Sequence, residues 1–152
     1  MRDEVKVAGI WELNWNSPLT ESWLWTFVLR EFDITDWHMT PVTGIHHNES
    51  HTDMSLTEHD TCLGMVDYLA EDDSYTRVFI DEKGDTCLTE FQHPEKAIYF
   101  FGCAGRAPTA HRREGDVVVS IPTLMSQSVL WPHQCLLTVL HDRYVKSIKA
   151  GM

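Results

Sequence analysis

Apolar residues along the chain fall into two kinds of run: short stretches rich in β-branched and aromatic residues, and longer ones in which apolar positions recur every third or fourth residue. VKVAGIW (5–11) is of the first kind and predicts a strand. NSPLTESWLWTFVLREF (16–32) is of the second. It places Ser17 as an N-cap and Pro18 in the first turn, with Leu19, Trp23, Leu24, Phe27 and Val28 spaced for a helix face. DWHMTPV (36–42) predicts a strand stopped by Pro41. LTEHDTCLGMVDYLAED (56–72) has helical spacing, with a cap near Thr57 or Asp60, and YTRVFIDEKG (75–84) predicts a strand closed by a turn. KAIYFFG (96–102) and DVVVSIP (116–122) are continuous apolar runs, the pattern of parallel strands covered by helices on both faces. A last helix follows, with Pro132 near its start and Leu136, Leu137, Val139 and Leu140 on its buried side.

This alternation predicts an α/β fold with a mostly parallel sheet and helices on both faces. At 152 residues and 43% hydrophobic content, with no internal repeat or linker, it reads as a single domain over residues 1–152. In open parallel sheets ligands sit at the carboxyl ends of strands, which is where Gly102 and Pro122 stand. Gly102 has a second reading, as the residue of a tight turn.

A formal net charge of −11 argues against a general nucleic-acid binder and against DNA as a partner. Any RNA contact has to be local, and Arg106, His111, Arg112 and Arg113 form the basic cluster available for it. The other reading of this cluster is a solvated loop. With no apolar run of 18 residues and a charged first segment, the chain is expected to be cytoplasmic, with no membrane contact. Cys62, Cys87, Cys103 and Cys135 are widely spaced, as reduced thiols are. His46, His47, His51, His59 and Cys62 are zinc-type ligands, but their spacing fits no standard finger, and no metal is expected. His38, His93 and His141 are scattered and are assigned no chemistry.

The order strand, YFFGCAGRAP, spacer, VVVSIPT, C-terminal helix resembles the SPOUT-class RNA methyltransferases, loosely over residues 5–145 and at the size of their minimal members. RVFIDEKG is similar to the strand and loop before that family's knot, YFFGCAGRAP to its Phe-Gly-x-x-x-Arg loop, and SIPTLMSQSVLWP stands where its Ile-Pro loop stands. The resemblance implies a C-terminal trefoil knot whose loops cradle S-adenosylmethionine, with Ile80, Asp81, Gly102, Ile121 and Leu130 at the cofactor. It also implies methylation of RNA, with tRNA as substrate and a ribose 2'-hydroxyl as acceptor, and a homodimer built on the first and last helices. Trp23, Phe27 and Trp131 are the candidates for that contact, among six tryptophans of which five, Trp11, Trp15, Trp23, Trp25 and Trp37, lie in the first quarter.

The departures are specific. The family's Asn-x-Gly-x-x-x-Arg falls on NSPLTESWL and carries no arginine before Arg30; its Glu after Gly-Pro falls at Ala104, and the Asn opening the last helix falls near Trp131, with His133 where a serine often stands. Two readings follow. Either Arg106, Arg112 or His133 substitutes, with Arg106 and His133 the catalytic candidates and Arg112 and Arg113 binding substrate, or the chain is a noncatalytic SPOUT-like domain that binds a protein or a nucleotide.

Overall fold

The computed structural model describes residues 1, 3–45, 54–102, 107–124 and 130–151. Its strands are β1 (Val5–Ile10), β2 (Asp36–Thr40), β3 (Ser55–Glu58), β4 (Thr76–Ile80), β5 (Thr86–Cys87), β6 (Ala97–Phe101) and β7 (Val117–Ser120). Its helices are α1 (Pro18–Glu31), α2 (Cys62–Leu69) and α3 (Pro132–Ala150). The strands form one sheet in the order β3-β2-β1-β6-β4-β7-β5, and each neighbouring pair is parallel. Helices cover both faces, as expected.

The period of two within each strand assigns its side chains to a face. Val5, Val7, Val78, Tyr99, Phe101 and Val119 point to the side on which α1 contributes Trp25 and Leu29 and α3 contributes Leu136, Val139 and Leu140. Ala8, Phe79, Ile98, Phe100 and Val118 point to the other, against Met65, Val66 and Leu69 of α2. Burial on both faces is why β6 and β7 read as unbroken apolar runs.

The caps set where the helices begin. Ser17 Oγ accepts the Thr20 N–H at 3.2 Å, as expected, and Thr61 Oγ1 accepts the Gly64 N–H at 3.0 Å. The second cap corrects the sequence reading. Residues 56–72 are not one helix capped at Thr57 or Asp60: Ser55–Glu58 is a strand paired with β2, and α2 starts only after Thr61. Leu56 pairs opposite Trp37, and its place in the helical spacing of the segment is incidental.

The buried face of α1 is a second correction. Leu19, Trp23 and Phe27 are exposed, and the helix turns Glu21, Ser22, Trp25, Thr26 and Leu29 inward. Both stripes have helical spacing, and Gly9 decides between them. A Cβ on Gly9 would lie 2.4 Å from Cη2 of Trp25, so the indole rests on bare backbone of β1. Trp25 stacks on Trp37 at a centroid distance of 6.4 Å, and Trp37 meets Trp11 edge to face at 5.5 Å. On α3, Leu136, Val139 and Leu140 are buried as expected, but Leu137 is exposed.

Polar contacts fix α3 along its length. Arg143 donates to the carbonyls of Pro94 (2.6 Å) and Glu95 (2.8 Å), and Lys146 to those of Leu88 (2.6 Å) and Phe91 (2.8 Å). Between them Tyr99 Oη lies 3.0 Å from Arg143 and 2.7 Å from His93 Nδ1, and His93 Nε2 lies 2.7 Å from Asp142. Burial pushes the Tyr99 hydroxyl up to about 12, so it keeps its proton and donates to Nδ1. His93 then carries its proton on Nε2, toward the carboxylate. The expected knot turns on the path from β7 to α3, and residues 125–129 of that path lie outside the described residues.

Candidate active site

The register lines up Gly9 with Phe101, Phe101 with Ile80, and Ile80 with Val119, so β1, β6, β4 and β7 end on one row. Ile80, Asp81, Gly102 and Ile121, four of the expected cofactor residues, therefore stand on or just past that row. Leu130, the fifth, lies just before α3 and is partly exposed.

Asp81 organises this edge. Its N–H donates to the Val119 carbonyl at 3.0 Å, its Oδ1 accepts the Lys83 N–H at 3.0 Å, and its Oδ2 accepts the Thr109 hydroxyl at 2.6 Å. One carboxylate thus holds the turn 81–84 and the 3-10 turn Pro108–His111 against the strand ends. Gly84 brings the turn in closely: a Cβ there would lie 2.6 Å from the Val119 carbonyl carbon and 2.7 Å from the Ser120 nitrogen. Ile121 and Pro122 also border an open pocket of about 320 Å³ shared with Leu88, Thr138, Asp142 and Val145.

The catalytic candidate Arg106 and the expected substrate-binding Arg112 and Arg113 are placed differently from one another. Arg106 lies outside the described residues, and Arg112 is exposed. Arg113 is committed to α2 through an ion pair with Asp67, and its N–H donates to Asp116 at 2.8 Å. Asp116 also accepts from Arg77 at 2.6 Å. The basic segment is therefore stitched to acidic neighbours through Arg113, and Arg112 is exposed.

His133 stands in the first turn of α3, its ring 5.5 Å from that of Trp131. Its Nδ1 is buried with no hydrogen-bond partner among the described residues. Leaving such an atom unpartnered costs about 1–3 kcal/mol of lost hydration, and Trp25 Nε1 and Trp37 Nε1 in the core share that condition among the described residues. Burial pulls His133 below its ordinary value, and the Glu21 carboxylate opposes that shift. Glu21 is fully buried: it accepts the Glu12 N–H at 2.7 Å on one oxygen and Asn16 Nδ2 at 2.8 Å on the other. Glu12, itself almost fully buried, accepts the Asn14 N–H at 3.1 Å. The sequence reading missed Glu12 and Glu21. The available signal was two acids flanking an Asn-Ser-Pro helix start directly after a strand end.

Two histidines assigned no chemistry are also networked. His93 is described above, and His38 Nε2 lies 2.7 Å from Asp36 while its Nδ1 lies 3.0 Å from His59 Nε2. Burial opposes ionisation of Asp36, but the His38 hydrogen bond and the nearby Lys6 outweigh it and hold the carboxyl below its usual range. His46, His47 and His51 lie outside the described residues. Among the described residues no group of three His, Cys, Asp or Glu side chains is arranged to hold a metal, and no helix is long and apolar enough to cross a membrane. Cys87 and Cys135 are free thiols.

Solved structures align with this architecture over nearly the whole chain. One, described as giving structural insights into the 2-OH methylation of C/U34 on tRNA, superposes with a TM-score of 0.70 at 12% identity, covering 96% of this chain and 97% of the other. The fold is that of the SPOUT-class RNA methyltransferases. The SpoU methyltransferase AviRb from Streptomyces viridochromogenes aligns at a TM-score of 0.74 and 16% identity over 99% of this chain and 62% of its own, and is also known with AdoMet bound. The A. aeolicus TrmH/SpoU tRNA modifying enzyme aligns at 0.72 and 9%, over 99% and 78%. The chain thus spans about three fifths of the AviRb length. No family model matches the sequence, and no curated protein matches it.

Proposed function

We propose that this chain is an S-adenosylmethionine-dependent RNA methyltransferase that acts on a tRNA ribose 2'-hydroxyl, working as one domain over residues 1–152 and as a cytoplasmic homodimer. The observation that carries the reading is the end-to-end alignment with a structure concerned with 2-OH methylation of tRNA, over 96% of one chain and 97% of the other. The noncatalytic alternative is not favoured by neighbours described through methylation or tRNA modification. The strand ends suit the cofactor: Gly84 lies flat against β7, and Ile80, Gly102 and Ile121 stand on or just past one row of parallel strand ends.

In this reading Ile80, Asp81, Gly102, Ile121 and Leu130 hold the cofactor in a knotted C-terminal segment. When bound, the cofactor supplies a methyl group on a sulfonium, and the protein's contribution is alignment and proton management. Arg106 orients the acceptor strand through phosphate, His133 takes the hydroxyl proton, and Arg112 adds attraction in an otherwise acidic protein, with Arg113 able to join it when its ion pair with Asp67 opens. The dimer uses the exposed stripe Leu19, Trp23 and Phe27 of α1, continued by Leu137, Tyr144 and Ile148 on the adjoining α3.

Calorimetry with S-adenosylmethionine and transfer of labelled methyl to tRNA test the proposal. Binding that Gly102→Val abolishes, together with label appearing in RNA, is the expected result. No heat at millimolar cofactor would return the chain to the noncatalytic reading.

A further inference from the structure

We infer that Asp142 is a specificity-determining residue: it reads the exocyclic amine of the cofactor's adenine, which lies in the pocket between the residues just past β7 and the side of α3. This rests on the proposed methyl transfer and deepens it by naming a side chain that selects the cofactor.

The pocket stands at the carboxyl end of the sheet, the side on which parallel sheets hold their ligands. Cys87 pairs opposite Ser120, so Leu88 and Ile121 leave β5 and β7 side by side, and both line the cavity. On α3, Thr138, Asp142 and Val145 recur at helical spacing and form the facing wall. Its volume of about 320 Å³ suits a small-ligand site, and Leu88, Ile121, Pro122 and Val145 supply apolar surface for the faces of a flat heterocycle. Ile121 belongs both to this pocket and to the residues expected at the cofactor.

Asp142 is the acceptor this wall leaves open. Its contacts to described side chains fall on Oδ2, from His93 Nε2 at 2.7 Å and Lys146 Nζ at 2.9 Å, while Oδ1 has no hydrogen-bond partner among the described residues. The side chain is 23% exposed, and it borders the cavity. The Thr89 and Thr138 hydroxyls are engaged instead, with Cys87 Sγ at 3.1 Å and the Gln134 carbonyl at 3.0 Å. Tyr99, wholly buried, fixes His93 from behind at 2.7 Å. Lys146 also donates to the carbonyls of Leu88 and Phe91, so one ammonium holds Asp142 and ties the opposite wall to α3. The carboxylate is thus positioned before a ligand arrives, with little left to order on binding. Its free oxygen accepts and cannot donate. A 6-amino purine offers it an N–H, whereas a 6-oxo purine sets a carbonyl against it.

Calorimetry with S-adenosylhomocysteine and its 6-oxo counterpart, S-inosylhomocysteine, tests this without turnover. The wild type should bind the amino ligand about tenfold or more tightly, because the oxo ligand leaves a polar group of the site opposed rather than paired. Asp142→Asn presents an N–H in place of one oxygen and should narrow that ratio by about tenfold or reverse it. A loosened α3 would weaken both ligands alike and leave the ratio where it was. Thr138→Phe fills the pocket from the exposed side of α3 and should abolish binding of both ligands while melting near the wild type. If Asp142→Asn does not fold, the wild-type ratio and Thr138→Phe decide. Equal affinity for the two ligands in the wild type, an unchanged ratio in Asp142→Asn, or wild-type binding by Thr138→Phe overturns the inference and leaves methyl transfer standing. No heat in the wild type with S-adenosylmethionine or with either homocysteine ligand overturns the methyltransferase reading, and the inference with it.

Discussion

Gly84 and Val119 touch backbone to backbone: a single methyl on Gly84 would lie 2.6 Å from the Val119 carbonyl carbon. Neither side of that contact is a flexible side-chain end that can swing away. Gly84→Ala should therefore push the turn 81–84 off β7 and reshape the wall of the proposed cofactor cleft. Expected are a loss of S-adenosylmethionine affinity by calorimetry of roughly tenfold or more, since a displacement near 1 Å can have large effects on a preformed site, and a lowered melting temperature. Wild-type affinity in Gly84→Ala would show that this turn does not line the cofactor.

The contact between Gly9 and Trp25 gives a purely structural prediction. Gly9→Ala forces the indole off the sheet and should destabilise the protein by about 1–3 kcal/mol in urea unfolding. Combining it with Trp25→Leu should cost less than the two single changes added together, because the added methyl then occupies space the indole left.

Stability should fall on mild acidification. His59, His93 and His133 each sit below their ordinary value of 6.5, first because burial penalises the charged form. Their folded-state values are depressed, so the unfolded chain binds protons more readily between the folded values and 6.5. Their contribution is complete above about pH 6.5 and is lost as the pH drops through the folded values. Asp36 and Glu58, held below the carboxylate range, add a second loss at lower pH. Denaturant midpoints measured from pH 8 to 4 check this, and His93→Gln should flatten the upper part of the curve.

Much of this was legible in the sequence and some was not, for identifiable reasons. Strands buried on both faces announce themselves as unbroken apolar runs, so β6 and β7, the row carrying Gly102 and Ile121, could be placed within a residue or two. β3 is four residues long and β5 is two, too short to carry a period, and β3 ran on into helical spacing. The face of α1 was misread because Trp23 and Trp25 are equally apolar and only the bare Gly9 surface chooses between them. Glu21 was missed because two acids flanking a helix start are a weak signal, and a fully buried glutamate is recognised by its donors, which the fold supplies from Glu12 and Asn16.

Trp23 is 44% exposed and Phe27 61%, one helical turn apart on the outer face of α1. If this stripe is the dimer contact, Trp23→Glu would place a charge in a desolvated patch and should shift sedimentation to the monomer with little change in melting temperature. An unchanged dimer moves the interface to another face.

The ion pair between Arg113 and Asp67 occupies a side chain that the proposed function assigns to RNA. Asp67→Ala should release Arg113 and raise RNA affinity, whereas Arg112→Ala should lower it and reduce the salt slope by about one log-log unit. Filter binding over a salt series measures both. Cofactor affinity should be the same in each variant.

The two outermost strands carry a different consequence. β3 spans four residues and β5 two, so each border of the sheet offers a neighbouring chain only a brief row of unpaired amides and carbonyls. Short borders of this kind discourage strand-to-strand accretion, the route by which open sheets polymerise. The longer described strands are all interior, so an encounter between two copies finds little sheet border on which a ribbon could grow.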